Sequence, residues 1–417
     1  MDINKLVKGM DCSCGKKHLC PMDYVKIGNG ALASLPALCE KYKSILLVSD
    51  QNTYRVCAEE VENLLGNKIT SSIVFETGDA PLIPNEEAIA AIHKMVIPSV
   101  DLIIGVGSGV INDLCKIVSF ERNLPYYIVA TAPSMDGYAS VGSALILKGM
   151  KVTLNAAPPK AIIADTQVLK NAPMDMLQAG YGDIVGKYSC LNDWKLSALI
   201  NGEYFCQKVY DIVYETADKV KELAKGVVDR NEEAVGALME ALVIVGIAMA
   251  YVGNSRPASG SEHHFSHYFE ITGILNHTPY LAHGIDVVYA AVLTAKLREK
   301  ILSAKPERRA FDEGAWMKDV ERIYLTSAEE VVALQKKLGW YWEDNSIKVL
   351  PRWEQIKAVL EEAPSESEML RMVEAVGLDY KEFVDLYGQA KINDGVVYAK
   401  DLKDRYSVLW LYYEFFR

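Results

Sequence analysis

The sequence lacks the features of a secreted, membrane-spanning or nucleic-acid-binding protein. It shows no N-terminal signal pattern and no apolar run long enough to span a bilayer, since the longest apolar stretch, residues 241–252, predicts only a buried helix. Basic residues are in deficit, because 44 Lys and Arg against 55 Asp and Glu leave a net charge of −11. This acidity argues against nucleic acid or an anionic membrane as the main partner. We therefore expect a cytoplasmic protein that does not insert into membranes.

Cysteine is sparse, with eight residues in 417, and we expect most of the thiols to be reduced and buried. One segment is an exception, because DCSCGKKHLC brings together Cys12, Cys14, His18 and Cys20. Such a group can hold a structural metal ion, but C-x-C-x3-H-x-C is not a standard zinc spacing. We favour the alternative, a plain N-terminal hairpin or loop.

The first part of the chain alternates short apolar strands with helices, and it contains no internal repeat or low-complexity segment. The predicted strands are residues 44–49, 69–75, 101–105, 126–130 and 161–164. This pattern indicates a parallel sheet covered by helices on both faces. Residues up to about Ile27 look irregular, and an apolar hairpin with its turn at Lys148 precedes the last strand.

The pattern changes near Asp165, because from there to the end the apolar residues recur at helical spacing. A chain of 417 residues is long enough for two or three domains. We predict an α/β domain over residues 1–165 and an all-α domain over residues 166–417.

The third predicted strand runs into GVGSGVINDLCK, where a glycine-rich turn precedes a helix. Glycines let the backbone approach a pyrophosphate, and the helix N-terminus offers N–H groups to it. The motif is neither G-x-G-x-x-G nor a P-loop, and the alternative is a tight turn without a ligand. The residues of this predicted anion site are Gly105, Gly107, Ser108, Gly109 and Asp113.

Two further polar segments follow predicted strands. Asp50 follows the first one, where an acid can bind an adenosine ribose and repel a 2′-phosphate, which hints at NAD over NADP. The equally weighted alternative is that Asp50 caps the next helix. TAPSMDGYAS, residues 131–140, lies where α/β proteins bind ligands. Its Asp136 either contacts substrate hydroxyls or forms an Asp-Gly turn.

Histidine is scarce, with seven residues, yet five of them lie between residues 261 and 287. They are His263, His264, His267, His277 and His283. On a helix, His263 and His267 share one face. Imidazole is the commonest metal ligand, and a catalytic ion of the Zn²⁺ type needs about three protein ligands and an open position. We favour a metal site over incidental surface or core histidines.

A carboxylate should complete this ligand set, and GYGDIVGKYS supplies Asp183 after two glycines. Lys187 follows four residues later, on the same helix face. An Asp with two His leaves an open position for a substrate oxygen, and a metal there eases the proton loss that accompanies hydride transfer. Lys187 can hold a substrate phosphate or relay a proton, and the alternative is a structural pair with Asp183.

Together these motifs resemble the sn-glycerol-1-phosphate dehydrogenase family, within the iron-alcohol-dehydrogenase and dehydroquinate-synthase-like superfamily. The segments GVGSGVINDLCK, TAPSMDGYAS, GYGDIVGKYS, SGSEHHFSH and HGIDV occur in this order within residues 28–287. The resemblance implies a Rossmann-like nucleotide-binding domain followed by an all-helical domain, with NAD(P) and one divalent metal, zinc or nickel. It implies that Asp183, His263 and His283 are the metal ligands.

The resemblance also implies that the loop Gly105–Gly109 takes the pyrophosphate, and that residues 131–136 lie near nicotinamide and substrate. The predicted cofactor-binding residues are Asp50, Gly105, Gly107, Ser108, Gly109, Asp113, Thr131, Ser134 and Ser140. The predicted catalytic residues are Asp136, Lys187 and His267. His267 is a candidate proton relay because it lies one helical turn from His263.

The reaction implied by the resemblance is the reversible reduction of dihydroxyacetone phosphate to sn-glycerol 1-phosphate, with NAD favoured over NADP. The alternatives are another polyol or polyol-phosphate dehydrogenase, a dehydroquinate synthase-like lyase that eliminates phosphate, and a catalytically silent binding protein. The expected ligand is a small phosphorylated triose or polyol. The superfamily resemblance also implies a homodimer.

Overall fold

The computed structural model describes residues 2–78, 80–147 and 150–417. Within them the chain forms two compact units. The first comprises the residues up to Tyr181 together with Glu222–Ser255, and the second comprises Gly182–Lys221 and Arg256–Arg417. The domain division that we place near Asp165 stays a prediction.

Eight strands are described, and all lie in the first unit. They are β1 (Tyr24–Gly28), β2 (Ile45–Asp50), β3 (Ile69–Phe75), β4 (Leu102–Gly107), β5 (Tyr126–Ala130), β6 (Gly142–Leu147), β7 (Met150–Asn155) and β8 (Ala161–Asp165). Six of them form a parallel sheet in the order β1-β8-β5-β4-β2-β3, and β6 pairs with β7 in an antiparallel hairpin. The predicted α/β class is therefore confirmed for this part of the chain. The hairpin turn at residues 148 and 149 lies outside the described residues.

The sheet reverses its direction of growth between β2 and β4. The chain places β3 on one side of β2 and then returns to place β4 on the other. Val48 pairs with Gly105 in this part of the sheet, so Asp50 and Gly107 end their strands at the same edge. Such a switch point at the carboxyl edge of a parallel sheet is where α/β proteins bind ligands.

The prediction that the first residues are irregular is wrong for β1. Tyr24–Gly28 forms an edge strand, and each of its residues pairs with one of Ala161–Asp165. Its partner lies more than a hundred residues away in the sequence, and a five-residue strand has too little periodicity to reveal such a pairing. Edge strands need only one neighbour, so local composition is a weak guide to them.

Helices cover the sheet and continue to the end of the chain. The α-helices are α1 (Ile3–Val7), α2 (Leu35–Leu38), α3 (Gln51–Thr53), α4 (Glu59–Leu65), α5 (Glu86–Met95), α6 (Gly109–Arg122), α7 (Thr166–Leu169), α8 (Met174–Val185), α9 (Lys187–Asn201), α10 (Gln207–Lys221), α11 (Ala224–Val228), α12 (Glu232–Val252), α13 (Ser261–Asn276), α14 (His283–Leu302), α15 (Glu313–Tyr324), α16 (Ala328–Leu338), α17 (Ser346–Val349), α18 (Trp353–Leu360), α19 (Glu366–Ala375), α20 (Tyr380–Tyr398) and α21 (Val408–Phe415). Shorter helical turns include a π-turn at Tyr54–Ala58 and a 3₁₀ turn at Asp136–Ala139. The predicted helical character after Asp165 is confirmed.

Helix α12 is the most apolar helix of the first unit. Asn231 caps its start by accepting from the Ala234 N–H at 3.0 Å, and Gly253, with φ +78°, ends it in a left-handed turn. It is the one described helix long and apolar enough to cross a membrane, with a mean hydropathy of 2.2 over its most apolar window. Because 78% of that window is buried in the protein, α12 behaves as the predicted buried helix.

Candidate metal and nucleotide sites

The glycines after β4 allow α6 to pack closely against the sheet. A Cβ at Gly105 would lie 2.8 Å from Cys115 Sγ, and one at Gly107 would lie 2.6 Å from Ile111 Cβ. Among the described residues, no side chain caps the first turn of α6 after Ser108. The N–H groups of that turn therefore point toward the switch point of the sheet, as they do in sites for phosphate groups.

Asp50 forms the helix cap that the sequence left as an alternative. Its Oδ1 accepts from the backbone N–H groups of Asn52 and Thr53, each at 2.8 Å. The Thr53 hydroxyl in turn accepts from the Asp50 N–H at 3.0 Å, which completes a capping box. The carboxyl group is thus held at the same sheet edge as Gly107, and its proposed contact with a ribose stays a prediction.

Lys116 is a buried cation that the sequence analysis did not single out as a site residue. Its ammonium donates to the carbonyls of Gly137 and Gly142, both at 2.8 Å, and to Ser140 Oγ at 3.2 Å. It also lies 3.5 Å from Asp113 Oδ1. The spacing of Asp113 and Lys116 on one helix face was the available signal.

Asp113 and Ser140, both predicted cofactor-binding residues, therefore have structural partners. Asp113 Oδ2 accepts from the Ala144 N–H at 3.2 Å, and its carbonyl accepts from Ser143 Oγ at 2.8 Å, which anchors β6 to α6. Ser140 Oγ donates toward the Gly137 or Gly142 carbonyl at 3.0 and 3.1 Å. These contacts hold the segment after β5 in shape.

Thr131, Ser134 and Asp136 belong to the segment that directly follows strand β5. The Thr131 N–H donates to the Gly107 carbonyl at 3.1 Å, which ties the ends of β5 and β4 together. Ser134 is partly exposed, and the buried Tyr138 donates its hydroxyl to the Ala132 carbonyl at 2.6 Å. Asp136 begins the 3₁₀ turn, and α12 approaches this turn so closely that a Cβ on Gly246 would lie 3.0 Å from the Asp136 carbonyl oxygen. The contacts of Thr131, Ser134 and Asp136 with nicotinamide and substrate stay predictions.

The three predicted metal ligands come together in the second unit. One nitrogen of His263, one nitrogen of His283 and a carboxylate oxygen of Asp183 all lie within 4.8 Å of one another. His263 belongs to α13, His283 begins α14, and Asp183 lies near the end of α8. Asp183 and His263 are buried, and His283 is partly exposed. Side chains from three helices therefore converge on one point, which is partly exposed at His283.

Glycines on α8 and at its end make this convergence sterically feasible. A Cβ on Gly182 would lie 2.4 Å from the Gly284 carbonyl oxygen, and one on Gly186 would lie 2.5 Å from Val287 Cγ1. The backbones of α8 and α14 can approach this closely only because these positions carry no side chain. The two glycines around Asp183 thus bring its carboxylate to His283.

Neighbouring side chains set the orientation of both imidazoles. The His263 Nδ1 lies 2.7 Å from Glu262 Oε1, and the His283 Nδ1 lies 3.1 Å from Ser266 Oγ. The His263 Nε2 faces Asp183 Oδ1 at 3.6 Å. A histidine that binds metal commonly donates its other ring N–H to such a partner. Glu262 directly precedes His263 in the sequence, but no sequence pattern pointed to Ser266.

The charges around Asp183 keep its carboxylate ionised. Burial alone would raise the pKa of Asp183, but Lys187 and the two imidazoles together lower it to about 2. Lys187 is fully buried, and its ammonium donates to Asp183 Oδ1 at 2.6 Å and to the Ala258 carbonyl at 3.0 Å. Burial, and then the charge of Lys187, hold the pKa of His263 well below its usual range, so its imidazole is neutral and offers a lone pair.

Two of the other clustered histidines lie apart from this point, and one lies beside it. The ring of His267 is 6.2 Å from that of His263 and 5.7 Å from that of His283, measured between centroids. His264 is fully buried, and His277 is an exposed C-cap of α13 with φ +53°. Only three of the five imidazoles therefore form one group of rings.

Comparison with known proteins connects about two thirds of the chain to one group of enzymes. The family described as iron-containing alcohol dehydrogenase matches residues 26–173. A glycerol-1-phosphate dehydrogenase [NAD(P)+] of Halalkalibacterium halodurans is 36% identical over 293 residues, which cover 69% of this chain and 73% of that protein. An enzyme of the same name from the archaeon Methanosphaerula palustris is 37% identical over 255 residues, 60% of this chain and 68% of that one.

Solved structures share the fold at much lower sequence identity. A probable glycerol dehydrogenase from Sinorhizobium meliloti superposes with a TM-score of 0.60 and 17% identity, covering 94% of this chain and 92% of that one. The alcohol dehydrogenase ADH/D1 from an archaeon of a Red Sea brine pool gives a TM-score of 0.59 at 14% identity, with coverages of 97% and 99%. At these identities the likeness extends to the fold alone.

Proposed function

Because the chain belongs to the glycerol-1-phosphate dehydrogenase family, we propose that it catalyses the reversible NAD(P)H-linked reduction of dihydroxyacetone phosphate to sn-glycerol 1-phosphate. The family is one of alcohol dehydrogenase-type oxidoreductases. The convergence of Asp183, His263 and His283 supports this proposal more than any other observation, since three such ligands suit a metal that acts on a substrate oxygen.

The donor set fits a divalent zinc or nickel ion. Two imidazole nitrogens and one carboxylate oxygen are suitable ligands for either metal, and three protein ligands leave a position open. We propose that Asp183, His263 and His283 hold this ion, with Glu262 and Ser266 orienting the two rings.

The first unit fits a dinucleotide. The uncapped first turn of α6 and the glycines Gly105 and Gly107 lie at the switch point of the sheet, where we propose that the pyrophosphate binds. Asp50 lies at the same edge, which supports NAD over NADP because a carboxylate repels a 2′-phosphate.

The protein's own side chains have distinct proposed roles. When bound, NAD(P)H supplies the hydride and the metal ion supplies a Lewis acid for the substrate oxygens. Lys187, whose Nζ lies 2.6 Å from Asp183 Oδ1, is the candidate to hold the substrate phosphate or to move a proton. His267, whose ring adjoins those of His263 and His283, is the candidate to return a proton to the product. Asp136 is the candidate contact for substrate hydroxyls.

Two further features complete the proposal. The eight cysteines form no disulfide, which suits the reducing conditions of a cytoplasm. We propose a cytoplasmic enzyme that works as a homodimer, as expected from the superfamily.

The decisive experiment follows NADH oxidation with dihydroxyacetone phosphate, using enzyme stripped with a chelator and reloaded with zinc or nickel. Restored turnover with sn-glycerol 1-phosphate as product supports the assignment. A matched assay with NADPH measures the cofactor preference. NADH oxidation only with glycerol-type ketones, or phosphate release without net NADH consumption, would assign the site to a polyol dehydrogenase or to an elimination reaction instead.

A further inference from the structure

The segment before β1 folds into a small loop that the proposed reaction does not use. An antiparallel bridge closes it, because the Met10 N–H donates to the His18 carbonyl at 2.9 Å. Gly9 and Gly15 have φ values of +93° and +87°, which L side chains rarely adopt. The backbone turns back at these glycines, so side chains that are up to six residues apart point to one place.

Three soft or borderline metal ligands meet inside this loop. The sulfurs of Cys12 and Cys14 and one ring nitrogen of His18 all lie within 4.8 Å of one another. Cys14 Sγ is 3.3 Å from His18 Nε2. In a tetrahedral zinc site, bonds of about 2.3 Å to sulfur and about 2.0 Å to nitrogen place these two atoms about 3.6 Å apart. The observed spacing needs only a small adjustment to bind such an ion.

The imidazole of His18 is fixed in the tautomer that binds metal through Nε2. Its Nδ1 lies 3.1 Å from the Tyr251 carbonyl oxygen, which can only accept, so Nδ1 carries the hydrogen. This leaves Nε2 as the ring atom that faces Cys14 Sγ. His18 is fully buried, and its ring lies 5.3 Å from that of Tyr251. A backbone carbonyl behind the ring is a common outer partner of a metal-binding histidine.

We infer that Cys12, Cys14 and His18 bind a structural zinc ion that is separate from the site at Asp183, His263 and His283. Two thiolates and an imidazole favour zinc over the harder cations that prefer oxygen ligands. Zinc completes its tetrahedron with a fourth ligand, either water or a further thiolate of the chain.

The ion would fasten the N-terminal segment to the end of α12. His18 already contacts the last turn of that helix through Tyr251, and Lys16 Nζ lies 3.5 Å from the Val252 carbonyl oxygen. The Tyr251 hydroxyl donates to the Leu6 carbonyl, so α1 is held at the same place. A short segment with few apolar side chains gains much of its order from such a cross-link.

Cys20 supplies a matched control within the same loop. Cys20 lies in the same short segment as the other three residues, but its sulfur does not belong to the cluster in the described structure. Cys20 is 8% exposed and packs as a core side chain. A serine at this position removes a thiol of the same segment without removing a proposed ligand.

The first measurement uses the unmodified full-length protein and therefore does not depend on any variant folding. Metal analysis of protein purified without chelator should find about two metal ions per chain, one for each site. Protein grown or refolded with Co²⁺ should show a thiolate-to-cobalt charge-transfer band in the near ultraviolet, which a site of oxygen and nitrogen ligands does not produce. No such band, together with only one ion per chain, overturns the inference.

The second measurement assigns the ion to its ligands. The variant with Cys12→Ser and Cys14→Ser should lose the cobalt band and about one metal equivalent per chain, and it should keep the other. Cys20→Ser should keep both ions and the band. His263→Ala should lose the other ion and keep the band, so failure of the proposed dehydrogenase activity cannot imitate failure of the zinc site.

Hydrogen exchange gives a readout that is independent of metal counting. In the double serine variant, amides of residues 3–20 should exchange faster than in Cys20→Ser, and those of α13 and α14 should not change. Equal exchange in both variants would show that no ion fastens this segment. Serine substitution of Cys39, Cys57, Cys115, Cys190 and Cys206 in turn identifies whether a further thiolate is the fourth ligand.

Discussion

Lys116 in the first unit and Lys187 in the second are both fully buried. Each pairs with an aspartate three or four residues earlier in the sequence, but their surroundings differ. Lys116 lies 3.5 Å from Asp113 and also donates to two carbonyls and a hydroxyl. Lys187 lies 2.6 Å from Asp183 and donates to one carbonyl, and its aspartate also faces His263. The first lysine is held by backbone acceptors that do not titrate, and the second shares its carboxylate with the imidazoles.

This difference distinguishes a lysine–aspartate pair completed by backbone acceptors from a pair that lies beside two imidazoles. Burial lowers the pKa of Lys116, and the charge of Asp113 offsets part of that effect. Lys116, Asp113 and the other acceptors of the ammonium therefore form a self-contained polar cluster. Asp183 carries one negative charge, yet it lies beside the ammonium of Lys187 and the imidazoles of His263 and His283. A buried charge that serves only the fold is normally satisfied by its own partners. The surplus around Asp183 is what we expect of a site that binds a cation and an anionic substrate.

Substituting Asp183 and Asp113 in parallel is the strongest test of the difference between the two lysine–aspartate pairs. Asp183→Asn should abolish metal binding and lower kcat/KM by about 10³-fold or more, because it removes a ligand of an ion worth several kcal/mol to the transition state. Asp113→Asn should leave the metal content unchanged, since Lys116 keeps its three other acceptors. Metal analysis and turnover in the same preparations decide this. Equal metal content in both variants would mean that Asp183 is a structural residue like Asp113.

Lys116 should matter for the stability of the fold rather than for metal binding. Lys116→Met removes the ammonium that donates to the Gly137 and Gly142 carbonyls and leaves Asp113 without its cation, so the free energy of unfolding should fall by about 3–5 kcal/mol. Urea unfolding followed by circular dichroism measures it. Lys225→Met, which breaks a solvent-exposed pair with Asp229, is the matched control and should cause no measurable loss. A Lys116→Met variant as stable as wild type would remove the distinction between the two lysines.

Removing the carboxylate that contacts His263 should have an intermediate effect on metal affinity. Glu262→Gln keeps the size of the side chain but removes the negative charge behind the ring, so metal affinity should fall by about 10–100-fold. Competition with a chelator at fixed pH measures the affinity. Glu382→Gln, whose carboxylate accepts from the Tyr289 hydroxyl instead, should bind metal like the wild type. If the two variants bind equally, Glu262 does not act on the ligand set.

The close approach of α8 and α14 should show the smallest effect of the series. Gly182→Ala puts a Cβ 2.4 Å from the Gly284 carbonyl oxygen, so the helices must separate at a cost of about 1–3 kcal/mol. Metal affinity should fall with it, because Asp183 moves away from His283. Gly314→Ala, on α15, places its Cβ 3.5 Å from its nearest neighbour and should stabilise the protein by about 0.4–1 kcal/mol. Thermal unfolding in the presence of chelator isolates the packing effect in both.

Local patterns in the sequence predicted most of the elements near the candidate sites. The strands β3 and β5 begin and end at the predicted residues, because continuous apolar runs between turn residues leave few alternatives. The edge strand β1 was missed because its partner β8 is remote. Lys116 was missed as a site residue because a buried lysine looks like a surface lysine until its acceptors are known.

The order of residues alone specifies the alternation of strands and helices, the helical remainder of the chain, and the rarity and clustering of its histidines. It also placed Asp183 between two glycines. The packed structure was needed to confirm that His263 and His283 meet Asp183, and to show that Glu262 and Ser266 contact the two rings. It was also needed to show that Cys14 rather than Cys20 faces His18. Helical and strand periodicity depends on neighbours along the chain, whereas a ligand set depends on backbones that approach within a few ångströms across distant segments. The absence of side chains at Gly182 and Gly186 permits that approach, but only the packed helices show what it brings together.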